Sequence, residues 1–238
     1  MMNDWLDRTR RLLGEEALTA LAGARVAVLG LGGVGSAAAE GVCRGGVGAL
    51  LLADCDTVDP TNRNRQLIAL RSTEGRPKTA VAAARLADIA PETRLTQLQE
   101  RLVPENLPLV FDWQPDLVLD AIDTVTTKLA LAASCRERGI PLLTCLGTGN
   151  RLDPSQLRLG TIEDTAGCGC PLARVLRREL KRRGLSGQPV LYSLEPPLEP
   201  VEPHAGENGR HPPASSAFVP PAAGFLMASW AVRTLLHR

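Results

Sequence analysis

The sequence predicts an α/β fold with a doubly wound, mostly parallel sheet and an antiparallel C-terminal extension. Two observations support this prediction. From residue 25 to about residue 146, short apolar segments typical of buried strands alternate with helical segments, which is the pattern of a parallel sheet covered by helices. After residue 146 this rhythm changes, and residues 156–162 show the two-residue periodicity of a strand in an antiparallel pair.

Length and composition are those of one large domain. The 238 residues are 44% hydrophobic and only 3% aromatic, so we expect a core built mainly from aliphatic side chains. We therefore interpret residues 1–238 as a single domain. Its predicted parts are N-terminal helices at 1–22, a nucleotide-binding core at 25–146, and an extension at 147–238 whose Pro- and Gly-rich loop 196–214 should be mobile.

The sequence indicates a cytoplasmic protein that does not enter a membrane. No apolar run has the length of a membrane span, and the first residues lack the apolar stretch of a signal peptide. The six cysteines are scattered along the chain, as is typical of free thiols in a reducing compartment. The net charge of +1 neither favours nor excludes a nucleic-acid partner.

In the first half, local patterns predict each element in turn. Residues 4–22 should form two short helices joined at Gly14, and the pair Gly45-Gly46 should end the helix that follows the first strand. The predicted order is a strand at 25–29, a helix at 34–45, a strand at 49–53, a helix at 77–90, a weaker strand at 93–98 and a short helix at 104–112.

The second half begins with a further strand, helix and strand, at 116–120, 124–138 and 140–145. Beyond the antiparallel-type strand at 156–162, a strongly basic helix is expected at 171–183. A short strand at 190–193 and an apolar helix at about 221–236 complete the prediction.

The central motif is a glycine-rich turn between the first strand and its helix. The segment contains Gly30, Gly32, Gly33 and Gly35 in a Gly-x-Gly-x-x-Gly arrangement. Glycine is required where φ is positive or where backbone must touch a ligand, and the N–H groups of the following helix can bind phosphate. The motif therefore predicts a Rossmann-like nucleotide site, without saying which nucleotide.

Charged residues beyond the strand ends narrow the choice of nucleotide. Asp54 follows the second strand at a spacing that suits a carboxylate bonded to ribose hydroxyls. Arg65 and Lys78 add two cations, and Asp123 adds a carboxylate suited to a metal. Cations neutralise charge on a leaving pyrophosphate, so this set favours nucleotidyl transfer over hydride transfer. Asp56 either assists the metal or caps its turn.

Five motifs together resemble the ubiquitin-activating-type adenylating (ThiF/MoeB/HesA) superfamily. They are Gly30-Leu-Gly-Gly-Val-Gly-Ser36, Asp54-x-Asp56, Asn62-x-Asn-Arg65-Gln66, Gly75-x-Pro-Lys78 and Asp120-Ala-x-Asp123. The resemblance implies binding of ATP and Mg²⁺ and activation of a carboxylate as an acyl-adenylate. It implies that Asp54 holds the ribose, that Asn62, Arg65 and Lys78 hold the phosphates, and that Asp123 holds Mg²⁺. It also implies a homodimer in which Arg8 reaches into the partner subunit's active site as a catalytic residue.

Within this superfamily the second half of the chain is similar to the tRNA threonylcarbamoyladenosine dehydratases. The matching stretches are Gly149–Pro154, Pro171–Gly184, Tyr192–Pro196 and Ser215–Pro220. The resemblance implies that ATP adenylates the side-chain carboxylate of the modified adenosine next to the anticodon, and that ring closure then expels AMP. The net result is the loss of water. Whether a sulfur-transfer accessory protein is a further partner stays open.

The basic helix supports an RNA substrate. Arg174, Arg177, Arg178 and Lys181 recur at three- and four-residue steps and share a broad helix face, which Arg182 extends. Clustered cations are the usual footprint of phosphate-backbone binding. The alternative is a solvated helix, but only Glu179 is available locally to neutralise the cluster.

The sequence supports three other functions less well. An adenylyltransferase for a ubiquitin-like sulfur carrier is the main alternative, but its relatives usually carry a zinc site of two Cys-x-x-Cys pairs, and this chain has no such pair. A nucleotide-binding module without turnover is disfavoured because Arg65, Lys78 and Asp123 are all present. An NAD-dependent oxidoreductase is the third alternative.

Overall fold

The computed structural model describes residues 5–201 and 213–237, and it contains one mixed sheet. In the described residues the seven strands run in the spatial order β3-β2-β1-β4-β5-β7-β6, and all neighbours are parallel except the antiparallel pair β6–β7. The strands are β1 (Arg25–Leu29), β2 (Ala49–Ala53), β3 (Arg94–Leu98), β4 (Leu117–Asp120), β5 (Leu142–Cys145), β6 (Leu157–Thr161) and β7 (Pro189–Ser193). The predicted fold class is confirmed.

Helices cover both faces of the sheet. They are α1 (Asp7–Leu13), α2 (Glu15–Gly23), α3 (Gly35–Arg44), α4 (Lys78–Ile89), α5 (Pro108–Phe111), α6 (Val125–Arg138), α7 (Pro171–Arg182) and α8 (Val219–Leu235). Successive residues of β1 point to opposite faces. Val26 and Val28 pack with α3, α4 and α8, whereas Ala27 and Leu29 pack with α6 and α7. Two aliphatic cores result.

Small residues let α8 pack closely against α3. A Cβ added at Gly41 would lie 2.6 Å from Ala228 Cβ, and one added at Gly224 would lie 2.2 Å from Val34 O. Neither position could carry a side chain without moving a helix. Because α3 starts at the glycine-rich turn, this contact holds the turn against the C-terminal helix.

Two predicted elements differ in detail. The helix expected at 104–112 is a 3₁₀ turn, Pro104–Asn106, followed by the single turn of α5, because Pro108 is accommodated only at the start of a helix. The C-terminal helix begins at Val219, with prolines in its first turn. The loop predicted to be mobile at 196–214 falls mainly on residues 202–212, which lie outside the described residues.

None of the helices in residues 5–201 and 213–237 combines the length and the apolar character that spanning a bilayer requires.

Candidate active site

A cavity of about 280 Å³ lies at the carboxyl edge of the parallel strands, where ligands collect in open α/β sheets. Its wall contains six of the predicted site residues, namely Gly30, Gly32, Asp54, Asp56, Lys78 and Asp123. They come from the segments after β1, β2 and β4 and from the start of α4. Residues separated by up to 93 positions in the chain are thus brought to one cleft by the parallel topology.

The four glycines of the turn differ in what a side chain would meet at each position. Gly30 has a φ of +85°, and a Cβ there would lie 2.8 Å from Ala121 O. At Gly35 an added Cβ would lie 1.7 Å from Gly30 O, and at Gly33 it would meet Pro220 and Arg65. Gly32, by contrast, has no atom closer than 3.9 Å to the position of its missing Cβ. Gly33 and Gly35 serve packing, and Gly32 keeps the cavity open.

Asp54 is held in a fixed orientation at the end of β2. Its Oδ2 accepts a hydrogen bond from Leu31 N at 2.6 Å, and its Oδ1 accepts one from Asp56 N at 2.8 Å. The carboxylate therefore ties the glycine-rich turn to the loop after β2. A carboxylate offers about four acceptor sites, so it retains capacity for ribose hydroxyls.

Lys78 brings a largely buried cation to the cavity. The residue is 6% exposed, and its Nζ lies 2.8 Å from Asp56 Oδ2 and 3.8 Å from Asp54 Oδ1. The hydrogen bond donated by the Lys78 ammonium lowers the pKa of Asp56 below its usual value. Asp56 therefore stays ionised near neutral pH, and the Lys78 ammonium, which has three N–H donors, can also donate to a phosphate.

Asn62 and Arg65 lie beside the glycine-rich turn but do not line the cavity. Asn62 Oδ1 accepts a hydrogen bond from Asp59 N at 3.2 Å and so caps the turn that carries Arg65. Arg65 Nη1 donates to Thr61 O at 3.1 Å and to Asn64 Oδ1 at 2.8 Å. Burial lowers the pKa of Arg65. Both bonds use Nη1, and a guanidinium has further N–H donors that could contact a phosphate.

Asp123 is the better of two candidate magnesium sites. Its side chain is exposed at the cavity, and its Oδ1 accepts a hydrogen bond from Thr124 Oγ1 at 3.3 Å. Asp54, Cys55 and Asp56 also offer three ligand atoms within 4.8 Å of one another. However, Mg²⁺ prefers oxygen ligands, and the ammonium of Lys78 already lies against Asp56.

Lys128 is a site component that the sequence analysis missed. Its Nζ lies 3.0 Å from Asp120 Oδ2 and donates to Cys145 O at 2.9 Å, and both charged side chains are completely buried. Asp120 Oδ1 in turn accepts a hydrogen bond from Ile122 N at 3.1 Å. The pair therefore anchors the turn that presents Asp123. The sequence shows a lysine eight residues after a strand-end aspartate, but this spacing alone does not distinguish a buried pair from a surface lysine.

The predicted residue Arg8 and the strand-end thiol of Cys145 lie outside the cavity. Arg8 is exposed on α1 and has no ion pair with a described residue. Cys145, at the end of β5, is fully buried, and burial raises the pKa of its thiol to about 12. A thiol with such a pKa is not nucleophilic near neutral pH.

A second, basic groove of about 730 Å³ lies along α7. Four of the five predicted RNA contacts line it, namely Arg174, Arg177, Arg178 and Lys181. Arg182 does not line it, and its Nη1 lies 3.3 Å from Glu179 Oε1. Of the five predicted RNA contacts, four therefore lie in the groove and Arg182 lies outside it.

The chain is similar in sequence and in structure to proteins of known family. The ThiF family model matches residues 6–238. The chain is 41% identical to the tRNA threonylcarbamoyladenosine dehydratase of Bacillus subtilis over 239 residues, covering 96% of this chain and 93% of that protein. The crystal structure of the Escherichia coli tRNA N6-threonylcarbamoyladenosine dehydratase in complex with ATP matches with a TM-score of 0.87 at 35% identity, covering 97% and 93% of the two chains. The Escherichia coli sulfur carrier protein ThiS adenylyltransferase is 37% identical over 144 residues, which is 60% of this chain and 53% of that protein.

Proposed function

The chain belongs to the ThiF family, and we propose that within this family it is an ATP-dependent tRNA threonylcarbamoyladenosine dehydratase. It adenylates the carboxylate of threonylcarbamoyladenosine next to the anticodon and cyclises the side chain, releasing pyrophosphate and AMP. Similarity to the dehydratase of Bacillus subtilis extends over 96% of the chain. The alternative, activation of a sulfur-carrier protein, is supported by a relative that matches only 60% of it.

One observation carries the proposal: Asp54, Lys78 and Asp123 converge on a cavity beside the glycine-rich turn. In this proposal Asp54 binds the ribose, and Lys78 contacts the phosphates together with Asn62 and Arg65. The Lys78 ammonium has three N–H donors, so it can bind a phosphate oxygen while it still contacts Asp56.

Magnesium fits the site through Asp123. The exposed carboxylate of Asp123 has free oxygen lone pairs at the cavity, which suits a cation that keeps several waters and takes one or two carboxylates. Mg²⁺ at this position would neutralise charge on the phosphates during adenylation. Asp120 and Lys128 hold the backbone turn of Asp123 in place.

Ring closure needs no covalent enzyme intermediate. The activated carbonyl and the internal nucleophile belong to one side chain, so the step is intramolecular and gains from proximity. The carbonyl–AMP bond breaks as the ring bond forms, and AMP leaves with the electron pair. The unreactive thiol of Cys145 is consistent with this route.

The assembly and the location follow from the same proposal. Arg8 is exposed without an ion pair to the described residues, which leaves it free to enter a second subunit's cavity in a homodimer. The proposed reaction uses ATP and tRNA, both of which the cytoplasm supplies, so we infer a cytoplasmic location. The reaction transfers no sulfur, so a sulfur-transfer accessory protein would be a binding partner and not a reactant.

An exchange assay tests the proposal. The protein is incubated with ATP, Mg²⁺ and labelled pyrophosphate, together with threonylcarbamoyladenosine-containing tRNA, the same tRNA without the modification, or a sulfur-carrier protein. We expect AMP release and label exchange only with the modified tRNA, and a product lighter by one water. Exchange that requires the carrier protein, or no exchange with any of the three, would overturn the proposal.

A further inference from the structure

We propose that the groove along α7 holds the phosphate backbone of the RNA substrate through Arg174, Arg177, Arg178 and Lys181. This inference rests on the proposed function and adds where the RNA lies. The four cations line one groove of about 730 Å³, and Glu163 is the carboxylate that lines it with them. A groove with such an excess of positive charge suits a polyanion.

The helix is a rigid base for these cations. Ala173, Leu176 and Leu180 of α7 are buried in the core that α6 also joins. The opposite face carries the charged side chains at three- and four-residue steps. Because the apolar face is fixed, the cations keep their spacing, and binding of RNA requires little ordering of the backbone.

Ion pairing divides the cations of α7 into two sets. Glu179 pairs with Arg178, Arg182 and Arg183, at 3.2, 3.3 and 2.8 Å. By contrast, Arg174 and Lys181 form no ion pair with a described residue, and both lie in the groove. Their charges are therefore available to an external anion.

The remaining contacts in the groove leave its positive charge largely uncompensated. Arg177 Nη1 donates to the neutral Thr165 Oγ1 at 2.9 Å, which orients its guanidinium without cancelling its charge. The Glu163 carboxylate is occupied by the N–H of Gly187, at 3.1 and 3.3 Å. Of the four groove cations, Arg178 is paired with Glu179, whereas Arg174, Arg177 and Lys181 share the groove with the single solvated carboxylate of Glu163.

The spacing along the helix fits several phosphates. Arg174 and Lys181 are seven residues apart, which is about 10 Å along an α-helix. Successive base pairs of a duplex rise by about 3.4 Å per strand, so the two cations would meet different phosphates. The start of α7 also lies near the edge of the sheet that bears the cavity, because a Cβ at Gly147, after β5, would lie 3.1 Å from Cys170 Sγ.

The test measures how tRNA binding depends on salt for wild-type protein, Arg174→Ala, Lys181→Ala and the double variant. The slope of log K against log salt is negative, and each lost phosphate contact should reduce its magnitude by about 0.7 to 0.9. We therefore expect the magnitude of the slope to be smaller by about 1.4 to 1.8 in the double variant than in wild type. Arg183→Ala is the matched control, because it removes one charge two residues from Lys181 at a guanidinium held by Glu179.

Activity measurements separate this inference from the proposed function. The double variant should show a raised KM for modified tRNA, with the KM for ATP and the rate at saturating tRNA and low salt close to wild type. If wild-type protein is active but Arg174→Ala, Lys181→Ala and Arg183→Ala all have the salt slope of wild type, the groove does not bind RNA and the dehydratase proposal stands. If the wild type gives no tRNA-dependent AMP, the proposed function fails, and with it this inference.

Discussion

The ammonium of Lys128 lies 3.0 Å from the carboxylate of Asp120, and neither side chain is more than 1% exposed. Lys128 also donates to Cys145 O, so one residue of α6 links the ends of β4 and β5. Asp120 accepts a hydrogen bond from Ile122 N. This buried pair shapes the turn between the strand end and Asp123.

Replacement of Lys128 by methionine should strongly destabilise the protein. It leaves the Asp120 carboxylate buried without its cation, and breaking such a pair from one side costs about 3–5 kcal/mol. The measurement is urea unfolding of Lys128→Met. The control is Lys128→Met combined with Asp120→Asn, whose destabilisation should be smaller than that of the single variant. A loss below about 1 kcal/mol in Lys128→Met, smaller than most core substitutions cause, would show that the pair does not hold this turn.

Substitution of two glycines of the turn should have different effects: Gly35→Ala should lower stability, and Gly32→Ala should weaken nucleotide binding. Gly35→Ala places a Cβ 1.7 Å from Gly30 O, so the backbone must shift, and we expect a loss of about 3 kcal/mol or more. Gly32→Ala meets no atom closer than 3.9 Å and should leave the free energy of unfolding near that of wild type. The added methyl group projects at the cavity wall, so Gly32→Ala should weaken ATP binding measured by calorimetry. Equal stability of the two variants would contradict this assignment.

Local patterns predicted most of the fold and much of the site. The strands β1, β2 and β4 are short and apolar, and they are followed by a glycine-rich turn, by Asp54 and by the segment that contains Asp123. Both the parallel sheet and its ligand-binding edge could therefore be inferred from the sequence. Asp54 and Lys78 were recognised because their chemistry suits a nucleotide at that edge. The cavity brings them together as the parallel topology requires.

Contacts between distant elements could not be inferred in the same way. Lys128 sits in the sequence Thr-Thr-Lys within a helix and looks like a surface residue, yet it is buried because Asp120 and Cys145 O satisfy it. Similarly, the basic helix gave no indication of which cations Glu179 would pair with. That choice depends on side-chain directions around α7, which a charge pattern does not specify.

The pair of Asp56 and Lys78 should make stability depend on pH in acid. The hydrogen bond from Lys78 holds the pKa of Asp56 below its usual 3.8 in the folded protein. The pair therefore contributes stability above pH 3.8, and this contribution disappears as the pH falls through the folded pKa. Because Asp56 is about half exposed, the effect should be under about 1 kcal/mol. Urea unfolding of wild type and Asp56→Asn should differ at pH 6, and the difference should disappear as the pH falls from 3.8 through the lower folded pKa of Asp56; a constant difference would contradict the assignment.

Substitution of Asp123 should abolish AMP formation without unfolding the protein. The side chain is exposed, and among the described residues it accepts a hydrogen bond from Thr124 Oγ1, so its removal should change the free energy of unfolding by less than about 0.5 kcal/mol. Asp123→Asn keeps the shape but removes the charge that would bind Mg²⁺. We expect both Asp123→Ala and Asp123→Asn to lose tRNA-dependent AMP release. Full activity of either variant at low Mg²⁺ would rule out Asp123 as the metal ligand.

A mixing experiment should decide whether Arg8 acts in the partner's cavity. Arg8→Ala and Asp123→Ala are each expected to be inactive as homodimers. In a mixed dimer one cavity combines an intact Asp123 with an intact Arg8 from the other subunit, while the second cavity lacks both. Random exchange in an equal mixture makes half of the dimers mixed, so activity should return to about a quarter of wild type, as two-fold symmetry dictates. Co-refolded or co-expressed subunits should be used to ensure exchange. If mixed dimers are isolated by two different affinity tags and remain inactive, Arg8 does not serve the partner's site.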